Sequence, residues 1–383
     1  MKVVIAPDSF KESLSADQVA RAVERGWRKV FPDADYVRIP MADGGEGTVE
    51  SLCDALGGRL ETVEVTSPTG GRHRAQFAVS GDGETAVLEM AAASGLHLVP
   101  PSERNPLTAS SYGTGELIRA ALDLGVKRII LGIGGSATND AGAGMLCALG
   151  ARLTDEAGRP LAAGGAALAR LARLDLSGLD RRLHDVDIQT ACDVDNPLCG
   201  ANGASAVFGP QKGADAAMVA QLDAALRRFA DVARHDCGTD MADVAGAGAA
   251  GGMGGGLLLL PQVRLRPGVE IVAEAVGLAE KVAAADWVIT GEGRMDGQSI
   301  RGKTPVGVAK TAKRFGKPVI ALVGGVGRDY AAVYGYGIDA VVPVLQRIDS
   351  RENILAAAAQ NIEAAAENTA RLLKTAMAAG KAV

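Results

Sequence analysis

The chain opens with KVVIAPD, four apolar positions without a polar break, which reads as a strand buried on both faces. Ser15 followed by Gln18 has capping-box spacing, and Val19, Val23 and Val30 then lie along one helical stripe. YVRIP, from Tyr36, reads as a second strand, and after a glycine-rich turn Val49, Leu52 and Leu56 recur at helical spacing. This β-α-β-α start predicts a parallel sheet with right-handed crossovers. Beyond Arg72 the period changes: QFAVSGDGETAVLEM reads as two strands around Asp82-Gly83, an antiparallel hairpin. KRIILGIGG is a strand feeding a glycine-rich turn, and HDVDIQTACDVDNP is a strand that runs out into carboxylates. Val244 to Gly256 is nearly all Gly and Ala, either a close-packed turn or a flexible hinge or lid. DWVIT, KPVIALVGG and IDAVVPVL are three further buried strands, and an Ala-rich helix runs from the region of Glu352 to Ala379.

With 383 residues the chain exceeds what one core usually holds. The order of elements predicts an α/β protein: a doubly wound parallel-sheet domain from residues 1–65 plus 280–383, interrupted by an inserted mixed α/β domain at 66–279. A cleft between two such domains is the expected place for a small-molecule site.

Composition narrows the chemistry. Aromatic residues are 3% of the chain, too few for a base-stacking nucleic-acid binder, and the net charge of −5 comes from basic and acidic residues mixed without a stripe. Neither nucleic acid nor a membrane is expected as a partner. The five cysteines are odd in number and scattered, which fits reduced thiols in the cytoplasm, and no Cys/His spacing suits zinc. The N-terminal apolar run is too short for a signal peptide and LLLLP too short to span a bilayer, so the expectation is a soluble, cytoplasmic protein. No G-x-S-x-G elbow points to a hydrolase.

GQSIRGKTP, from Gly297, matches the phosphate-loop pattern G-x-x-x-x-G-K-[ST]. The match is expected to be incidental, because the strand DWVIT stops at Thr290, six residues early, and Thr304-Pro305 suits an N-cap and first helical position. Gly132 to Ala137 fits a dinucleotide fingerprint with Asp155 and Glu156 downstream, the basis of a dehydrogenase alternative. The amides of GGSATND at a helix start are also a ready anion cradle, formed by Gly134, Gly135, Ser136, Thr138 and Asn139.

More telling is where the polar residues stand. Asp8, Ser9 and Lys11 follow the first strand; Asp43, Glu46 and Thr48, with Gly44 and Gly45 between, follow the second; Glu292, Arg294 and Asp296 follow DWVIT. Parallel strands would bring these clusters to one carboxyl edge, where open α/β sheets bind ligands. Carboxylates interleaved with cations suit Mg²⁺ and phosphate together. Asp193, after the strand IQTAC, can accept a hydroxyl proton or close an Asx turn before Pro197. The four histidines read as surface or structural.

These stretches resemble the type I glycerate kinase family. APDSFKESLSA, MADGGEGT, SYGTGELI, GIGGSATNDAGAG, DVDNPLCG and TGEGRMDGQS with GKTPVGVAK all look like its signatures, in its order, from Met1 to the region of Gly325. The resemblance implies a flavodoxin-like domain carrying an inserted α/β domain. It also implies MgATP-dependent phosphorylation of D-glycerate, most often to 2-phosphoglycerate, with glycerate 3-kinase activity as the alternative product. A non-catalytic sugar-acid sensor is the rival from another class. On the kinase reading Asp193 is the nominated base, with Lys11, Arg294 and Ser9 as donors to the substrate carboxylate. Asp43 is the first metal ligand, with Asp8 or Asp296 beside it, and Glu292, Gly44, Gly45 and the Gly134–Asn139 turn bind substrate or phosphate. ATP and Mg²⁺ are the implied co-substrate and metal, and a homo-oligomer is left open.

Overall fold

In chain order the strands are β1 (Lys2–Ile5), β2 (Asp35–Arg38), β3 (Arg59–Thr66), β4 (Arg72–Val79), β5 (Thr85–Glu89), β6 (Arg128–Gly132) and β7 (Arg152–Thr154). They continue with β8 (Arg173–Asp175), β9 (Asp187–Ala191), β10 (Val263–Arg266), β11 (Trp287–Met295), β12 (Val319–Val326) and β13 (Ala340–Pro343). The structure, a computed structural model, describes residues 1–45, 47–300 and 302–379. Glu46 of the second acidic cluster and Arg301 of the glycine-lysine-threonine stretch therefore lie outside the described residues.

The chain divides into two compact units. The first contains Met1–Asp43, Glu50–Leu56 and the chain from Val269 onward. Its sheet has the order β13-β12-β11-β1-β2 with every neighbouring pair parallel. Counted within the unit this is the order 2-1-3-4-5 of flavodoxin-like sheets, and the order reverses between β1 and β11. Val3, Ile5, Ile289, Ile320 and Leu322 pack on one side with the helices Ala16–Arg28 and Ala358–Ala379. Val4, Val288, Val319 and Ala321, one residue out of phase, are equally buried on the other. A run such as KVVI, apolar at every position after the lysine, requires that double burial.

Both halves of the Ser15–Gln18 capping box are made, at 3.3 and 2.9 Å. The helix ends at Arg28, so Val30 belongs to the core without belonging to the helix. At Gly26 a Cβ would lie 2.3 Å from the carbonyl oxygen of Glu363, so the two helices touch backbone to backbone there. The C-terminal helix is broken at Ala357: Arg351–Ala356, capped by Ser350, is separate from Ala358–Ala379.

The second unit contains Gly44–Val49 and Gly57–Gly268. Its main sheet has the order β10-β9-β6-β5-β4-β3, parallel from β10 to β5 and antiparallel from β5 to β3. The hairpin turn falls at Asp82-Gly83, with Gly83 at φ 75°. β3 was not expected: its sequence RLETVEVT carries charges on both faces, Arg59 and Glu61 on one and Glu64 on the other, and lies at the sheet edge, so its alternation is weak. Leu88, Ile129, Leu131 and Ile188 of this sheet share a core with the helices Tyr112–Asp123 and Ala216–Cys237.

The Gly/Ala segment is neither hinge nor lid in form. Ala249–Leu257 is helical around a left-handed kink at Ala250, Gly251 and Gly252, and its glycines from Gly251 to Gly256 are buried. A Cβ on Gly251 would stand 2.0 Å from the Thr138 carbonyl, and one on Gly256 2.0 Å from that of Ala141. Glycine is required here for close approach, not for mobility. Among the described residues no helix is long and apolar enough to cross a membrane, and all five cysteines are free thiols.

Candidate functional site

At the carboxyl end of β1 the pairing with β11 continues past the strand: Ala6 N–H donates to Ile289 O at 2.7 Å and Asp8 N–H to Gly291 O at 2.9 Å. Thr290 adds a hydroxyl bond to Ala6 O at 2.8 Å. Asp8 is thereby fixed at the point where strand order reverses. Its carboxylate accepts from Ser9 N–H at 2.6 Å and from the Thr304 hydroxyl at 2.7 Å. Burial first, and then the nearby Asp43 charge, push the Asp8 carboxyl up to about 6 against those two hydrogen bonds.

β11 does not stop at Thr290 as expected but runs to Met295, paired with β12 along its length. The reason lies in GEGRM: a Cβ at Gly291 would meet Leu322 O at 2.1 Å, and one at Gly324 would meet Gly293 O at 2.4 Å. Without side chains at these positions the two strands can stay paired. Glu292 and Arg294 therefore stand on the strand itself, two apart on one face. Glu292 is buried, accepts from the Ser299 hydroxyl at 2.6 Å and pairs with Lys303 at 3.3 Å. Burial pushes its pKa up, and Ser299 and Lys303 oppose that. Arg294 is exposed, 3.7 Å from Asp296, with Gly327 beneath it. Gly293 backs onto Phe10 and the backbone of Lys11, whose side chain is exposed.

The loop after β11 answers the phosphate-loop question on different grounds from those expected. Only Asp296 separates the strand from Gly297. A phosphate loop works by turning its N–H groups outward onto the anion. Here Gly297 N–H donates to Arg328 O, Ser299 N–H to Asp296 O and Gln298 N–H to the Asp296 carboxylate, each at 2.9 Å. Lys303 occupies the N-cap position and reaches back to Glu292. Thr304 is the first helical residue rather than the cap, which leaves its hydroxyl available to Asp8. Asp296 holds its own loop. Among the described residues no three His, Cys, Asp or Glu side chains converge as an all-protein metal cage would need.

In the second unit Glu89, Gly132 and Ala191 end β5, β6 and β9 in register. The glycines of MADGGEGT lie against them. A Cβ at Gly44 would fall 2.3 Å from that of Ala191, and one at Gly132 would fall 2.3 Å from Gly44 O. Gly45 approaches Gly134, and Glu89 accepts Val49 N–H at 3.1 Å. Thr48 closes the turn onto Gly45 O at 2.7 Å. The motif is thus divided, with Asp43 in the first unit and Gly44 and Gly45 in the second.

The turn after β6 differs from expectation. No helix opens on it: the next one, Ala143–Ala148, starts later and has six residues, so no helix dipole reaches the turn. The dinucleotide fingerprint fails with it, and Asp155 is used in its own turn by Ala157 N–H, Arg159 N–H and the Arg159 guanidinium. Gly134 and Gly135 are both exposed, whereas Ser136 to Asp140 are buried. The buried half is braced by SYGTG. Ala137 N–H donates to Ser94 O, the hydroxyls of Ser94 and Thr114 meet at 2.8 Å, and Asp140 accepts the N–H and hydroxyl of Ser111, both at 2.9 Å. Gly142 and Gly144 N–H complete the Asp140 shell, whose carboxyl is pushed up by burial. Thr138 and Asn139 lie beneath the turn, and Asn139 donates to the Ser205 hydroxyl at 2.9 Å.

Asp193, two residues past β9, accepts Gly268 N–H at 3.0 Å and is exposed. Glu89, at the end of β5, escapes the sequence reading, as do Ser299, Lys303 and Thr304 as site residues. A charged residue ending a parallel strand is the available signal for the first. The last three are brought in only by the path of a loop.

The sequence model of the Glycerate kinase family matches residues 3–374. A glycerate kinase of Haemophilus influenzae is 60% identical over 373 residues, 97% of this chain and 99% of that protein. The glycerate 2-kinase of Escherichia coli K12 is 52% identical over 98% of this chain and 99% of its own. The crystal structure of a Salmonella typhimurium LT2 protein assigned as glycerate kinase 2 superposes with a TM-score of 0.92 at 54% identity. It covers 98% of this chain and 99% of that one.

Proposed function

This chain belongs to the glycerate kinase family, and from that premise we propose that it transfers the terminal phosphoryl group of ATP to the 2-hydroxyl of D-glycerate, giving 2-phospho-D-glycerate and ADP. The observation that carries the reading is the grouping of Asp8, Asp43, Glu292, Lys303 and Arg294 where strand order reverses in a flavodoxin-like sheet. Such switch points are where open α/β sheets take their ligands. The relative named as a 2-kinase supports the regiochemistry.

The donor set fits Mg²⁺, because it is made of carboxylate oxygens and because Asp43 raises the Asp8 pKa, an opposition that a divalent cation relieves. Asp43 would be the first ligand and Asp8 the second, while Asp296 is held by its own loop. When bound, the ion neutralises charge on phosphate oxygens. Thr304 keeps Asp8 oriented. Lys11, Arg294 and Ser9 supply donors to anionic oxygens. In the second unit the outer arm of the turn, Gly134 and Gly135 with Ser136, holds an anion against Gly44 and Gly45, and Asp193 takes the proton of the attacking hydroxyl. The glycerate oxygen gains the phosphorus as the bond to the ADP oxygen breaks, and transfer depends chiefly on positioning and charge. We place this activity in the cytoplasm, with no nucleic acid or membrane as partner.

The test is NMR of the product after incubation with D-glycerate, ATP and Mg²⁺. Coupling of phosphorus to the C2 proton supports the reading. Coupling to the C3 protons keeps the kinase and overturns the position. Absence of a phospho-product from folded protein favours a binding-only role.

A further inference from the structure

Lys212 is a lysine with almost no exposed surface. Lysine is almost never fully buried unless paired, because removing an ammonium from water is expensive. It ends the short helix Pro210–Lys212, and Gly213 follows at φ 93°, pressed against Arg104 O. Its Nζ donates to the carbonyl of Thr138 at 2.6 Å. The preceding helix, Ala204–Phe208, supplies Ser205, which accepts from Asn139. The segment 204–213 therefore grips the turn at two successive residues, both buried.

The geometry of a peptide gives this grip a consequence. Within one planar peptide unit the C=O and the following N–H point in opposite directions. An ammonium that holds the Thr138 carbonyl toward residue 212 also holds the Asn139 N–H away from it. The same logic applies upstream, where Ala137 N–H is held by Ser94 O and Gly135 O accepts from Leu96 N–H. Three peptides of the turn, 135–136, 136–137 and 138–139, are thus each held by a hydrogen bond from outside it. From Gly251 the other side of the Thr138 carbonyl is closed to anything larger than hydrogen. Burial pulls the Lys212 ammonium down to about 7, and the Asp140 charge opposes this. Removing the ammonium would leave the Thr138 carbonyl buried without this donor and the Asp140 charge without its nearby cation.

We propose that Lys212 is a positioning residue for the anion-binding turn: it anchors the Thr138 peptide so that the exposed arm, Gly134 and Gly135, keeps the shape that receives a substrate oxyanion. This rests on the reading of that turn as an anion site. It acts on binding through the backbone and takes no part in the chemical step.

Lys212→Met removes the donor and charge with an unbranched side chain one atom shorter, and Lys212→Gln, also one atom shorter, keeps a donor without charge. Expected for Lys212→Met is a melting temperature a few degrees below that of the parent, as the Thr138 carbonyl loses its donor, with KM for one anionic substrate raised on the order of tenfold. Its kcat, corrected for active fraction, stays within about threefold, and Lys212→Gln falls between the two. Parental KM values for both substrates in both variants overturn the inference, as does a failure of both to fold, which would make Lys212 a folding residue. Gly134→Ala separates the two readings: its Cβ would meet only Gly45 Cα at 3.7 Å, so it fits the fold while obstructing the outer arm. Unchanged KM in Gly134→Ala removes the anion site itself. Raised KM there, with parental KM in Lys212→Met and Lys212→Gln, removes only the role of Lys212.

Discussion

The hydroxyl of Thr304 donates to the carboxylate of Asp8 across 2.7 Å, although 296 positions separate the two residues along the chain. One residue opens a helix and the other follows a strand, and the parallel β1–β11 pairing brings them together. Removing the donor in Thr304→Val should lower kcat/KM on the order of tenfold, the equivalent of one hydrogen bond to a charged group. Since that bond lowers the Asp8 pKa, the acid limb of the rate profile should move to higher pH. A profile that stays in place would detach Thr304 from Asp8 in function.

Asp8 also links stability to pH. Well below about pH 4 it is protonated in both folded and unfolded chains. As the pH rises toward 6 the unfolded chain ionises first, so the folded state loses stability, and the loss is complete above the folded value of about 6. The shift corresponds to at most about 3 kcal/mol. Denaturant unfolding without Mg²⁺ should show this decline in the parent and a flatter line in Asp8→Asn. Parallel curves would contradict it.

Asp193→Asn preserves an acceptor for Gly268 N–H and removes only the charge. A fall in kcat of about a hundredfold, with melting temperature and KM for ATP nearly unchanged, is the expected result for a proton acceptor. Normal turnover would leave Asp193 as a latch for the chain after β10.

Lys303→Met leaves the Glu292 carboxylate buried with the Ser299 hydroxyl and without its lysine partner. Urea titration should show a loss of about 1–3 kcal/mol, and Glu292→Gln in the same background should restore part of it. Full additivity of the two changes would argue that the pair is not coupled.

Gly251→Ala combines a left-handed backbone at φ 69° with a Cβ 2.0 Å from Thr138 O. A destabilisation of at least about 3 kcal/mol is expected. In the parent, proteases should leave the Gly246 to Gly256 segment intact with or without MgATP and glycerate. Ligand-dependent cleavage there would restore the idea of a lid.

Several features are legible in the amino-acid sequence by itself. The apolar runs KVVI and VIAL place strands because an interior parallel strand is buried on both faces, whereas AVV forms an edge strand only half-buried, and the Ser15–Gln18 box marks a helix start because its bonds are local. The clusters after β1 and in GEGRM are visible as polar residues at strand ends, and parallel order implies a shared edge. Local chemistry and periodicity are sufficient for features of that kind.

What only the tertiary structure decided are the relations that depend on how closely backbones approach. β11 extends through GEGRM because glycines let β12 lie against it, a fact absent from the spelling of either strand. The Gly297 loop matches a phosphate-binding pattern, yet turns its amides inward. The GGSATND turn matches a helix start, yet no helix opens there, and its buried half is held by Ser94, Ser111, Ser205 and Lys212 from elsewhere in the chain. A motif records which residues are adjacent in sequence. The direction of an N–H group is set by the partner that takes the neighbouring carbonyl, and that partner comes from a distant part of the chain.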